Sequence, residues 1–295
     1  MSCRSYLYVP GDQKRKLARA PEAAADALIL DLEDAVAKSA KADARRNVAD
    51  FLGGPRAAGG PDIWVRVNSF ATASDAVMAD LDAVLAPGLD GICLPKASSP
   101  EDLLRLDALL SSGEERLGLK DGSLAVAALV ESAEGLLSSP QIASARRVCR
   151  LQLGEVDLHN DLGVVDPPEA ALISLRLQVV TASAAAGIQA PVAGISRETR
   201  ELEGLRVETE ALRRLGFGAR SAIHPAQVSV INEVFTPSTF EEEEAARLVA
   251  AFDEAVSGGV GVIVDDRGKM IDEAVVRRAR RTLAQAEQAR ARASQ

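Results

Sequence analysis

Aromatic side chains make up only 3% of this chain: one Trp, two Tyr and six Phe among 295 residues. The core must therefore be built from Ala, Val, Leu and Ile, and a 47% hydrophobic content supplies enough of them for a large one. Cysteine is scarce as well. Cys3, Cys93 and Cys149 are odd in number and form no Cys-x-x-Cys pair. They read as reduced thiols of a cytoplasmic protein and exclude a disulfide framework. No uninterrupted apolar stretch is long enough for a bilayer span, and the polar residues 12–16 break any signal-peptide core. Positive charge is in deficit: the net charge of −9 argues against a nucleic-acid partner. Gly-x-Gly-x-x-Gly, Walker and Gly-x-Ser-x-Gly patterns are missing, which removes dinucleotide-binding, P-loop and nucleophile-elbow readings.

What the chain has is alternation. Short apolar runs at 5–9, 27–32, 63–67, 91–94, 124–130, 148–153, 189–195 and 219–223 read as strands. Helical patterns separate them, at 14–20, 38–51, 76–85, 100–110, 168–186 and 197–215 among others. About eight strand–helix units predict α/β architecture, a closed (β/α)₈ TIM barrel over residues 1–235. Residues 236–295 exceed what a barrel needs. They hold a helix at 240–256, a Gly-rich turn, a short apolar run at 262–264, a turn at 265–270 and a long Arg- and Ala-rich helix at 271–293. This C-terminal helical arm is expected to pack on a neighbouring protomer.

Residues 125–132 read Ala-Val-Ala-Ala-Leu-Val-Glu-Ser: a buried strand climbs to one carboxylate, Glu131. A lone buried acid is costly unless it is paired or holds a cation. The next strand runs on through Gly154-Glu155-Val156 to Asp157, so two adjacent strands would present acids at one end of the sheet. Glu131 and Asp157 are expected to ligate a divalent metal. Two carboxylates without His or thiolate suit Mg²⁺ or Mn²⁺ better than zinc. Glu131 has rival readings, as a helix cap or an arginine partner. Arg66 lies between Val65 and Val67, where burial requires an answering Asp, Glu or substrate carboxylate. Lys96 also falls just past a strand. His224, before Pro225, reads either as a hydrogen-bonded loop residue or as a contact to the cofactor. His159 has no supporting pattern and is expected at the surface.

Several segments, in order along nearly the whole chain, carry a resemblance. They are Arg4-Ser5-Tyr6-Leu7-Tyr8-Val9-Pro10-Gly11, Leu30-Asp31-Leu32-Glu33-Asp34, Val65-Arg66-Val67-Asn68, Leu94-Pro95-Lys96, Val130-Glu131-Ser132, Ile223-His224-Pro225 and Gly268-Lys269-Met270-Ile271-Asp272. Together they resemble the HpcH/HpaI aldolase and citrate lyase superfamily, in its citrate lyase beta-subunit-like branch. The resemblance implies a Mg²⁺-dependent lyase acting on a 3-hydroxyacyl-CoA thioester such as malyl-, citramalyl- or citryl-CoA. It implies that Glu131 and Asp157 hold the metal, with Glu131 also near substrate. Arg66 would bind a substrate carboxylate or the thioester oxygen. Tyr8 with Arg15 or Lys14 would contact substrate or CoA phosphate. Asp272 matches an acid supplied by an adjacent subunit, though an Asp there also makes a good N-cap of the last helix. A homo-oligomer, a trimer or a dimer of trimers, follows from such sharing. Two rivals remain: a metal aldolase on CoA-free hydroxy-keto acids, and a non-catalytic homologue that binds a keto acid or CoA ester.

Overall fold

The computed structural model describes residues 3–165, 167–265 and 268–293. Eight parallel strands close into a barrel in chain order: β1 (Ser5–Pro10), β2 (Ala27–Asp31), β3 (Asp62–Arg66), β4 (Gly91–Leu94), β5 (Ala125–Val130), β6 (Val148–Leu153), β7 (Val192–Ala193) and β8 (Ala219–Ala222). β8 returns to β1 with Tyr6 opposite Ser221. With helices covering the outside, strands are buried on both faces and read as continuous apolar runs, as in the Ala-Leu-Ile-Leu of β2.

The interior holds the chain's one Trp and both Tyr. Tyr6, Ile29, Trp64, Cys93, Ala127 and Leu129 pack together there. The single Trp needs a glycine: a Cβ on Gly91 would lie 2.4 Å from its ring. Tyr6 meets Trp64 edge to face at 6.2 Å between centroids.

Several elements differ from expectation. The expected strand 189–195 shrinks to Val192–Ala193, squeezed between Pro191 and Gly194. The helix expected from 197 starts at Leu202, where Glu201 caps it by accepting the Gly204 N–H. The helix Pro100–Leu117 runs past 110 because Leu103, Leu106 and Leu110 are followed by a buried Gly113 packed near Leu85. It stops where Gly118 takes φ +67°. The chain after β6 turns at once into the helix Glu155–Asp161, so Asp157 lies on a helix and not on an extended strand. The helix Pro225–Phe235, directly after His224, was not anticipated.

The chain divides into two compact units, Cys3–Glu233 and one containing Val234–Gln295. In the second, the helices Thr239–Ser257 and Glu273–Ala293 pack through Phe252, Ile271 and Val276, with Leu248 and Ile263 at the edge. A capping box at Ser238 and Glu241 starts the first helix. Arg280–Asp253 and Arg290–Glu242 ion pairs join the two helices. Of the turn expected at 265–270, Asp266 and Arg267 lie outside the described residues.

Candidate active site

Strands of a parallel barrel all end on one face, and charge gathers there. β2 ends on Asp31, β3 ends on Arg66, and Glu131 follows the last residue of β5. Tyr8, Asp31, Arg66, Glu131 and Asp157 line one cavity of about 160 Å³.

Arg66 is answered by protein. Its Nε and one terminal nitrogen donate to the two Asp31 oxygens at 2.8 and 2.6 Å, a bidentate pair, and the other terminal nitrogen lies 3.1 Å from Glu33 Oε2. Asp31 is fully buried and also accepts the backbone N–H groups of Glu33 and Ala35, which folds the turn around it. The guanidinium stands 5.0 Å over the Tyr8 ring. Asp31 was not singled out from sequence, yet it carries the signature used for Glu131: an apolar strand closing on one acid.

Lys96 ties two acids together. Its φ of +51° is a conformation that costs a non-glycine residue roughly 1–2 kcal/mol. That turn aims its backbone N–H at Glu131 Oε1, 2.7 Å away, while Nζ reaches Glu33 Oε1 at 2.5 Å. Burial raises the pKa of Glu33 against the opposing pull of Arg66 and Lys96.

Glu131 is not a helix cap. Ser132 Oγ accepts the Gly135 N–H and caps the helix Ala133–Leu137, which leaves the Glu131 carboxylate to the cavity. The residue is 5% exposed. Burial pushes its pKa up to about 8, and Glu33 and Asp157 add repulsion that the Lys96 hydrogen bond only partly offsets. Such a carboxylate is short of positive charge, which a divalent cation supplies. Among the described residues no group of three or more His, Cys, Asp or Glu is placed to hold an ion. Glu131 and Asp157 line the same cavity, and two carboxylates with further positions left to water and substrate oxygens would suit Mg²⁺.

Gly154 makes the space. A Cβ there would lie 2.6 Å from Glu131 Cβ and 2.7 Å from its Oε2. Gly154→Ala is expected to displace the carboxylate and to cut Mg²⁺-dependent turnover about 100-fold, at a stability cost of about 1–3 kcal/mol. Steady-state kinetics beside thermal unfolding checks this; a wild-type rate would mean that Glu131 tolerates displacement. On the next turn, Arg176 holds Glu155 at 2.7 Å and Glu169 at 2.6 Å, which anchors the helix bearing Asp157.

Below the cavity Tyr8 donates its hydroxyl to Gln152 Oε1 at 3.0 Å, and Cys93 Sγ lies 3.2 Å from the same oxygen. Burial pushes the Tyr8 phenol well above its ordinary range and the Cys93 thiol up to about 12, so both remain protonated donors. Glu33, Gly154 and Gln152 join Asp31 as residues that sequence reasoning missed.

The other expected site residues lie elsewhere. Lys14 and Arg15 are exposed on the helix Lys14–Arg19, with Lys14 3.8 Å from Asp50. His224 is exposed, and its Nδ1 accepts the Ala226 N–H at 3.2 Å. None of the three lines the cavity. His159, expected at the surface, is half-buried next to the fully buried Leu158. Asp272 belongs to the second unit, where its Oδ1 accepts the Val275 N–H at 3.1 Å as an N-cap.

Comparison with known proteins agrees with this geometry. The profile of the HpcH/HpaI aldolase/citrate lyase family matches residues 4–225. A (3S)-malyl-CoA thioesterase of Cereibacter sphaeroides (strain KD131) is 38% identical over 290 residues, 96% of this chain and 94% of that protein. The citrate lyase subunit beta of Haemophilus influenzae is 35% identical over 285 residues, 96% of each chain. Among solved structures, the CitE protein of Mycobacterium tuberculosis in complex with magnesium, acetoacetate and coenzyme A superimposes with a TM-score of 0.77 at 28% identity. The match covers 96% of this chain and 98% of that one. A barrel whose strand ends gather Asp31, Arg66 and Glu131, and a profile match over most of its length, place the chain in the HpcH/HpaI aldolase/citrate lyase family.

Proposed function

We propose that the chain is a Mg²⁺-dependent carbon–carbon lyase that cleaves, or in reverse forms by Claisen-type condensation, a 3-hydroxyacyl-CoA thioester such as malyl-, citramalyl- or citryl-CoA. The observation that carries this reading is one cavity lined by two carboxylates, the buried, under-compensated Glu131 and the exposed Asp157, beside a rigidly paired Arg66. Glu131 and Asp157 would hold the ion. When bound, Mg²⁺ supplies Lewis-acid polarisation of a hydroxy-carboxylate substrate. Arg66, fixed by Asp31 and Glu33, keeps N–H edges for the charge that develops on the thioester oxygen as the carbon–carbon bond breaks. Tyr8, anchored on Gln152, forms the wall on which the guanidinium rests. The substrate hydroxyl gives its proton to water as it becomes the carbonyl of the keto-acid product, and a general acid protonates the departing enolate carbon to give the acyl-CoA product. We assign that acid to Asp272 of a neighbouring protomer, with the second unit acting as an arm over the neighbour's barrel mouth. Lys14, Arg15 and His224, exposed on segments that follow barrel strands, are assigned to the CoA moiety.

The test is a product assay with Mg²⁺ and malyl-CoA. Glyoxylate with acetyl-CoA is the expected outcome. Free malate with CoA would mean thioester hydrolysis, the activity by which the Cereibacter relative is named, and would overturn the lyase reading. Cleavage confined to CoA-free hydroxy-keto acids would favour the aldolase alternative, and binding without turnover the non-catalytic one.

Sharing of the site makes a further prediction. Asp272→Ala and Arg66→Ala protomers, each inactive, are expected to regain turnover when mixed, because some sites combine intact parts of two chains. A closed ring, a trimer or a dimer of trimers, is the assembly such a head-to-tail contact produces. Light scattering that finds a fully active monomer would refute the shared site. A cytoplasmic location is the matching assignment, supported by a cysteine count that is small and odd. No helix among the described residues is long and apolar enough to cross a membrane.

A further inference from the structure

The cavity is asymmetric in a way that discriminates among the thioesters named above. Those three substrates share a free carboxylate and a hydroxyl on one carbon, next to the CH₂ that bears the thioester. They differ in one group on the hydroxyl-bearing carbon: hydrogen in malyl-CoA, methyl in citramalyl-CoA and a carboxymethyl in citryl-CoA. The first carboxylate has its place beside the hydroxyl. The question is what meets the third group.

Charge lies toward β1 to β3 and at the end of β5, where Tyr8, Asp31, Arg66 and Glu131 stand. The sector formed by β6 to β8 carries Glu155 and Asp157 after β6 but adds aliphatic side chains. Leu153 ends β6, Val156 follows on the next helix, Ile195 comes after β7, and Ile223 comes after β8. These strands are consecutive neighbours in the barrel, so the aliphatic residues fall on one side of its mouth, as a wall interrupted by Glu155, Asp157 and Ser221. Val156, Ile195 and Ile223 are 41%, 37% and 41% exposed. Exposed apolar surface beside a polar cavity marks the place of an apolar ligand group.

The charge balance points the same way. Arg66 is the single cation among the described lining residues, against Asp31, Glu131, Glu155 and Asp157. It is already engaged by Asp31 and Glu33. Lys96 is spent on Glu33, and Arg176 on Glu155 and Glu169. A second substrate carboxylate would meet either the aliphatic wall or more carboxylates, and burying it unpaired is unfavourable.

We infer that the cavity takes a 3-hydroxyacyl thioester with one free carboxylate and hydrogen or a small alkyl group at the hydroxyl-bearing carbon, and excludes one whose third group ends in a carboxylate. The inference rests on the lyase reading and narrows it. The keto-acid product would accordingly be glyoxylate, pyruvate or a short 2-oxo acid, and not oxaloacetate.

The experiment measures kcat/KM of the intact protein with Mg²⁺ for malyl-, citramalyl- and citryl-CoA. Citramalyl- or malyl-CoA is expected to exceed citryl-CoA by about 100-fold, the scale of one unpaired buried charge. In parallel, calorimetric titration with the keto acids alone should show pyruvate binding at least tenfold tighter than oxaloacetate. Ile195→Lys places a cation on the wall and is expected to narrow the citramalyl-to-citryl ratio about tenfold. Citryl-CoA turnover equal to that of citramalyl-CoA, with oxaloacetate binding as tightly as pyruvate, would overturn the inference and leave the lyase reading intact. Cleavage of none of the three would overturn both. Should Ile195→Lys not fold, the wild-type substrate ratio and the keto-acid affinities decide alone.

Discussion

Glu131→Gln is expected to abolish productive Mg²⁺ binding while leaving the barrel folded. The amide keeps the shape and can still accept the Lys96 N–H, so the loss isolates the charge. Affinity for Mg²⁺ should fall by at least about 100-fold, and turnover by about 1000-fold, since a Lewis acid supplies several kcal/mol of charge stabilisation. The same substitution should remove a pH dependence. In the metal-free protein the Glu131 pKa is raised from an ordinary 4.5 to about 8. Between those values the folded state keeps a proton that the unfolded chain has lost. Its contribution to stability is therefore full below about pH 4.5 and is lost as pH rises through about 8. Mg²⁺ binds the ionised form, so the increase in Tm caused by Mg²⁺ should be larger at about pH 8.5 than at about pH 6. In Glu131→Gln that difference should vanish. Titration calorimetry and thermal unfolding at the two pH values measure both effects. Unchanged Mg²⁺ affinity in Glu131→Gln would remove this residue from the metal set, and Asp157→Ala is judged in the same way.

The second large effect concerns the Arg66–Asp31 pair. Asp31→Ala strips a buried guanidinium of its bidentate partner and leaves Glu33 as the remaining acid within reach. Removing one half of a buried pair costs about 3–5 kcal/mol. At roughly 2–4 °C per kcal/mol for a unit of this size, a drop in Tm on the order of 10 °C is expected. Arg66→Lys keeps the charge but cannot make the planar two-point contact with Asp31 or stack on Tyr8 in the same way. Its kcat/KM is expected to fall about 100-fold with little loss of fold. A lysine variant near wild type in kcat/KM would confine Arg66 to a structural role, and an Asp31→Ala protein as stable as wild type would show that Glu33 suffices.

Strand composition alone determined the architecture. Runs such as Ala-Leu-Ile-Leu and Ala-Val-Ala-Ala-Leu-Val can be buried on both faces only in a parallel sheet covered by helices, and eight of them in alternation with helices close a barrel. Strand ends were legible for the same reason: an acid that terminates an apolar run sits where the chain leaves the core, and Glu131 was found there. The marginal elements were not legible. β7 keeps two residues because Pro191 and Gly194 bound it, and its place in the barrel comes from neighbours on either side. Asp157 lines the same cavity as Glu131, but a helix start and not a longer strand brings it there.

Partnership was decided only by tertiary structure. Burial between Val65 and Val67 required Arg66 to find an acid, yet Asp31, 35 positions away, is chosen because β2 and β3 pair with Asp31 opposite Arg66. Lys96 can serve Glu33 and Glu131 at once only because its backbone turns to positive φ between them. Gly154 looks like any loop glycine until β5 and β6 lie side by side and the Glu131 side chain takes the volume a Cβ would need. Local sequence sets which residues are apolar, charged or small. Which of them touch depends on barrel closure, because contacts between residues 23 to 63 positions apart arise from strand register and not from any local pattern.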